Sequence, residues 1–198
     1  MQLRSSTYSP AYNLANGATL PYLGTDHTVR TMVRLVKGDV DPRSLVQGAL
    51  SGERSIFVRR HTEQIINHVR PKDYTSECIA IGKWWGNAGR YTRDPLHVEM
   101  LRTPERLIQD ALAGKLLLDC DEFCTAIGMC CLTVGARVQF VTVGFTPYIR
   151  GQQKVHTHVF CRAQDPRSKA WWVLDPVAGR NTKPMLQRVK QYTLFEVQ

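Results

Sequence analysis

The spacing of hydrophobic positions changes near Gly135 and divides the chain. Before it, apolar residues recur at steps of three and four; after it, they alternate with polar ones. Residues 27–38 show the first pattern, with Val29, Met32, Val33 and Val36 in step and Gly38 as a stop, and they predict a helix. Further helices are expected over 42–50 and over 56–69, where Ile56, Phe57, Ile65, Ile66 and Val69 share a face before Pro71. A capping residue, Thr75 or Ser76, begins the next, and Gly86, Gly89 and Pro95 break the chain beyond it. Thr103, Pro104 and Glu105 provide a side-chain cap, a first-turn proline and an early acid, opening a helix that Gly114 closes. Residues 119–132 predict a buried helix, with Phe123, Ile127 and Met129 on its mostly apolar surface, stopped by Gly135.

Beyond Gly135 the segments RVQFVTVGF, HTHVFCRA, AWWVLD and RVKQYTLFEV read as strands, the last two rich in aromatic and β-branched residues. Their connections are too short for helical crossovers, so the sheet is expected to be antiparallel and the fold class α+β. The expected organisation is an extended arm over 1–26, marked by Pro10, Gly17, Pro21 and Gly24, a helical region over 27–90, and a core over 91–198.

Composition narrows the function classes. With 198 residues, 43% hydrophobic and 22% charged, the chain suits one domain with an ordinary core rather than a disordered or low-complexity segment. The apolar uncharged run 123–136 has 14 residues, too few to span a bilayer. The amino terminus lacks a signal-peptide core, so the expected setting is cytoplasmic or virion-associated. The net charge of +9 is spread out, with +4 over 1–70 and +4 over 162–198, and there is no basic tail or paired-cysteine finger. That distribution favours a solvated cationic surface over nucleic-acid binding. Without an export signal, Cys78, Cys120, Cys124, Cys130, Cys131 and Cys161 are expected to be free thiols.

One of these cysteines is placed for chemistry. Cys120 lies in the first turn of the helix opened by LLDCDEF, where unpaired backbone N–H groups favour a thiolate, so it is expected to react below the pH of an ordinary thiol. Cys124, Cys130 and Cys131 sit deeper in the same helix and read as small core residues. A cysteine nucleophile needs a base and a group that orients it. His156 and His158, two apart and hence on one strand face, are candidate bases, and Asp175 ends a later strand. If a six-residue loop, 164–169, joins the two strands, residue 163 faces 170 and His158 falls opposite Asp175. A one-residue slip would destroy that relation.

The order helix Cys, strand His, strand Asp resembles the core of transglutaminase-like proteins. DCDEF is similar to that family's segment at the nucleophile, HVF to its histidine strand and WWVLDP to its W-x-x-[LFI]-D-P segment, and the likeness covers about 91–178. It implies a papain-like core in which a nucleophile-bearing helix packs on an antiparallel sheet, with Cys120 as nucleophile, His158 as general base and acid, and Asp175 orienting the imidazole. Leu118 departs from the glycine usual before the Asp-Cys pair. Trp84, Trp85 and the Cys120 backbone N–H are candidate oxyanion donors, and His156 a supporting or substrate-contacting residue. Asp121 and Glu122 read as first-turn acids that accept local hydrogen bonds. Of Trp171 and Trp172, which point to opposite strand faces, at least one is expected to fill the core.

The resemblance implies thiol-mediated acyl transfer on a protein or peptide substrate, with hydrolysis, deamidation and cross-linking as outcomes. No cofactor is expected: there is no nucleotide motif, and Cys120, Cys124, His156 and His158 lack the knuckle spacing of a zinc site. Small proteins of this appearance are encoded by tailed bacteriophages, which implies an alternative, a non-catalytic structural or assembly protein whose partners are phage structural proteins.

Overall fold

The computed structural model describes residues 19–23, 30–36, 42–93, 99–147 and 156–197. In chain order the elements are β1 (Thr19–Leu23), β2 (Arg30–Val36), α1 (Pro42–Glu53), α2 (Ile56–Ile66), α3 (Tyr74–Ala88), β3 (Arg90–Tyr91), β4 (Glu99–Arg102), α4 (Pro104–Leu112), β5 (Leu117–Leu118), α5 (Cys120–Thr133), β6 (Arg137–Gly144), β7 (His158–Gln164), β8 (Trp171–Leu174), α6 (Thr182–Arg188) and β9 (Gln191–Val197). The fold class is α+β, as expected. Its main sheet has the order β8-β7-β6-β9 and is antiparallel throughout.

The helix on which the site depends is capped at one end and stopped at the other. Asp119 Oδ1 accepts from the Glu122 backbone N–H at 2.9 Å and so satisfies one of the donors orphaned at the start of α5. Gly135, with φ +84, lets the chain turn out of the helix into β6. Between them every residue from Glu122 to Leu132 is buried. Gly128 is what allows α5 to lie flat on the sheet: a Cβ there would come within 2.8 Å of the Phe140 ring. Phe123, Ile127 and Met129 then join Val138, Phe140, Val159 and Cys161 in one core, each large apolar side chain contributing about 1.5–3 kcal/mol. Val141, Val143 and Phe160 alternate onto the other face of the sheet and form a second, smaller cluster.

The helix over 104–112 begins as its sequence dictates, with Thr103 Oγ1 accepting from the Arg106 N–H and Pro104 in the first turn. Three local expectations are corrected. Of the helix expected over 27–38, residues 30–36 instead form β2, paired antiparallel with β1 and β4, and the rest lies outside the described residues. Val29, Thr31, Val33 and Leu35 also alternate, and β-branched residues favour the extended form. α2 ends at Ile66 rather than Val69, and α3 is capped by Asp73, whose Oδ1 accepts from the Ser76 N–H at 3.1 Å, rather than by Thr75 or Ser76. Of the expected arm, 19–23 form β1 and the remainder lies outside the described residues. The β2–β4 pairing joins the regions expected on either side of residue 90.

The register of the β7–β8 hairpin also differs. Its loop has six residues, but it spans 165–170, so Ala163 faces Trp172 and Cys161 faces Leu174. Each strand is displaced by one residue from the expected pairing. The combined shift of two preserves which face every side chain occupies.

Candidate active site

Three elements converge where β8 stops. The last ladder pair is Cys161 with Leu174, so β7 continues past its neighbour with an open edge, and the N-terminus of α5 meets that edge. The Val159 backbone N–H, two residues beyond the last pair, donates to Cys120 Sγ. Asp175 comes directly after Leu174 and turns toward the start of β7, where its Oδ2 lies 2.8 Å from His158 Nε2. His158 and Asp175 are therefore diagonal neighbours across the strand ends rather than opposed partners, a separation that a long side chain spans readily.

The carboxylate is held on both sides. Its side chain is almost wholly buried, at 1% exposure, and Oδ1 accepts from the Ala178 N–H at 3.1 Å while the Asp175 carbonyl accepts from the Gly179 N–H. The tight turn that Pro176 begins thus fixes the rotamer. With the carboxylate accepting, Nε2 carries the imidazole proton and Nδ1 presents its lone pair, the tautomer a general base requires.

Cys120 is brought to the same strand end but is not hydrogen bonded to His158. Among the described residues, the partners of the Cys120 thiol are Asp121 Oδ1, at 3.6 Å, and the Val159 N–H, and the partner of the His158 imidazole is Asp175. Burial pushes the Cys120 thiol above its ordinary value, the carboxylates of Asp121 and Asp119 raise it further, and the Val159 N–H only partly opposes them. The expectation of a standing thiolate is corrected accordingly: at neutral pH the sulfur is protonated, because low dielectric and two acids beside the helix start outweigh its dipole.

The other expected site residues lie elsewhere. Trp85 is fully buried, and its indole lies beside the Cys130 thiol, about three turns along α5 from Cys120, so it cannot donate to an oxyanion there. The Trp84 ring packs edge-on against Trp85 at 4.9 Å and against His61 of α2 at 4.6 Å, in the α2–α3 interface. His156 precedes β7, and its Nδ1 meets Thr142 Oγ1 at 2.7 Å; Thr142 faces Val159 in the ladder, whereas His158 faces Val143. The two histidines therefore occupy opposite faces, because His156 lies outside the strand whose alternation would have aligned them. Trp171 stacks under Arg162, with the guanidinium carbon 4.6 Å from its ring centre, and Trp172 is exposed, so neither fills the core.

Two further contacts at the site join segments that are distant in sequence. β3 and β5, of two residues each, form a parallel pair that sets Tyr91 beside Leu118, two residues before Cys120. Elements so short have no hydrophobic period. Glu122, 1% exposed, is bound by Arg102 of β4 at 3.2 Å, and Arg102 also reaches Asp110 of α4 and the Leu117 carbonyl. This buried network anchors the start of α5 to three other elements.

All six cysteines are free thiols. Among the described residues no three His, Cys, Asp or Glu side chains gather as metal ligands, and no helix is long and apolar enough to cross a membrane. Comparison of the chain with protein-family models, with curated proteins and with solved structures finds no match.

Proposed function

We propose that the protein is a transglutaminase-like cysteine enzyme that transfers or hydrolyses acyl groups through Cys120, His158 and Asp175. The observation that carries this reading is the 2.8 Å contact of His158 Nε2 with a buried, doubly anchored carboxylate at the strand end where Cys120 abuts β7. A carboxylate held so tightly on an imidazole fixes tautomer and orientation, which a packing role does not require.

Because the thiol rests protonated, attack is coupled to proton transfer. His158 Nδ1 takes the Cys120 proton as Sγ bonds to the substrate carbonyl carbon, and Asp175 supports the imidazolium that forms. Collapse of the tetrahedral adduct breaks the bond to the leaving group, which receives the proton from Nδ1, and leaves a thioester on Cys120. Water or an amine then attacks the thioester, His158 takes its proton, and the sulfur leaves to be reprotonated. A protein or peptide amide is the acyl donor that the resemblance implies.

A second reading, a non-catalytic structural or assembly protein of a phage particle, is favoured by one observation: the raised thiol is bonded to Asp121 and not to the imidazole. Turnover of a p-nitrophenyl ester, with and without an added primary amine, separates the two. The expected result is turnover that Cys120→Ala abolishes and Asp175→Asn reduces by about 10²- to 10⁴-fold. Turnover unaffected by both substitutions would support the non-catalytic reading.

A further inference from the structure

Positive charge that is dispersed along the chain is gathered by the fold at one place. Two cavities, of about 530 and about 390 Å³, lie where the turn after α2 meets the start of α3. The first is lined by Arg70, Lys72, Asp73, Asp165 and Arg167, the second by His68, Arg70, Asp73, Ser76 and Lys83. Arg70 and Asp73 belong to both, so the two form one cleft. Arg167 comes from the β7–β8 loop, which is tied to α3 by the Thr75 hydroxyl donating to Asp165 Oδ2 at 2.9 Å. That loop leaves β7 at the end opposite His158, about 20 Å away at the rise of a strand, so the cleft is separate from the Cys120 site.

The acids of the cleft are engaged, and its cations are not. Asp73 accepts from the Ser76 N–H and hydroxyl, and Asp165 from the Thr75 hydroxyl and the Arg167 and Ser168 N–H groups. Buried Glu77 accepts from the Lys72 N–H at 3.0 Å. Arg70, Lys72, Lys83 and Arg167 are exposed, and among the described residues none of them forms an ion pair. Like charges brought together without counter-charges repel one another, and an anionic ligand relieves that cost. Sequence spacing did not reveal the cluster because its members come from three segments.

The length of the cleft selects the ligand. Lys83 stands ten residues along α3 from its cap Asp73, about 15 Å at the rise of an α-helix. A single phosphate reaches only one part of that span, whereas a nucleic-acid strand, with a phosphate about every 3.4 Å, sets about four along it. We propose that this cleft binds the phosphate backbone of a nucleic-acid strand, with Lys72 and Arg167 at one end, Lys83 at the other and Arg70 between them. Contacts to phosphates carry no sequence information, so binding is independent of base sequence.

The proposal is tested by fluorescence anisotropy of a fluorescein-labelled thymidine dodecamer titrated with the full chain over a range of salt concentrations. Four phosphate contacts predict a slope of log K against log salt of about −2.8. Arg70→Gln combined with Lys83→Gln is expected to weaken binding by about ten- to hundredfold at about 0.05 M salt and to bring the slope to about −1.4. Arg70→Lys combined with Lys83→Arg, which keeps both charges, should bind within about threefold of the wild type. Arg180→Gln combined with Lys183→Gln removes the same charge from an exposed surface outside the cleft and should weaken binding by less than about twofold. No binding by the wild type, or equal weakening by the two neutral pairs, overturns the proposal. Binding of inorganic polyphosphate without binding of the dodecamer overturns the assignment of a nucleic-acid strand.

Discussion

At the scale of single residues, Cys120 is governed by competition among neighbours. The start of α5 favours negative charge, yet Asp121 beside the sulfur and Asp119 at the cap make the site acidic, and burial adds to both. Alkylation of Cys120 by iodoacetamide is therefore expected to accelerate only above the ordinary thiol range of about 8.5. Asp121→Asn removes one of the charges that oppose ionisation and is expected to speed alkylation at about pH 8 by roughly three- to tenfold. A wild-type profile rising well below the ordinary range would mean that the imidazole holds a thiolate at rest. The position of Cys120 in a first helical turn was legible in the sequence; its charge state was not, because that depends on how deeply the turn is buried and which acids point at the sulfur.

Among the elements, α5 and the succession of strands after it were the most legible parts. Asp119, Thr103 and Gly135 act locally, through one hydrogen bond or one backbone angle, and such signals survive whatever the chain packs against. Residues 30–36 show the opposite case. Their apolar positions satisfy two periods at once, and pairing with β1 and β4, which is not local, selects the strand. The β7–β8 hairpin lies between these cases. Its six-residue loop was foreseeable, its register was not, and His158 and Asp175 still meet because a two-residue shift keeps both on one face. The α2–α3 contact supplies an independent test of the packing. His61 is buried against Trp84, and burial lowers its pKa against an opposing hydrogen bond with Gln64. Below the unfolded value of about 6.5, the unfolded chain gains a proton that the folded chain resists, so stability falls as the pH drops through that window. The melting temperature is expected to drop by a few degrees between about pH 7.5 and about pH 5, and His61→Phe should shrink that drop. Equal pH dependence in the two proteins would mean that His61 is protonated in the fold.

For the molecule as a whole, the site exists because several chain segments end at one place. β8 stops at Leu174, the chain turns back through Asp175, β7 begins at His158, and α5 arrives from the opposite side, with β3 and β5 alongside. The Glu122–Arg102–Asp110 network ties that arrival to β4 and α4. Long-range convergence of this kind leaves no trace in local spacing, which is why the Trp84–Trp85 pair was as plausible near the sulfur as in the α2–α3 interface where it lies. The measurement that bears most directly on the central claim is acyl trapping: the protein is mixed with p-nitrophenyl acetate, quenched in acid and mapped by peptide mass spectrometry. The expected result is one acetyl group per chain, carried as a thioester on Cys120, forming about 10²- to 10⁴-fold more slowly in His158→Ala. Acetylation scattered over lysines with no preference for Cys120, or a Cys120 adduct that forms equally fast without His158, would contradict it.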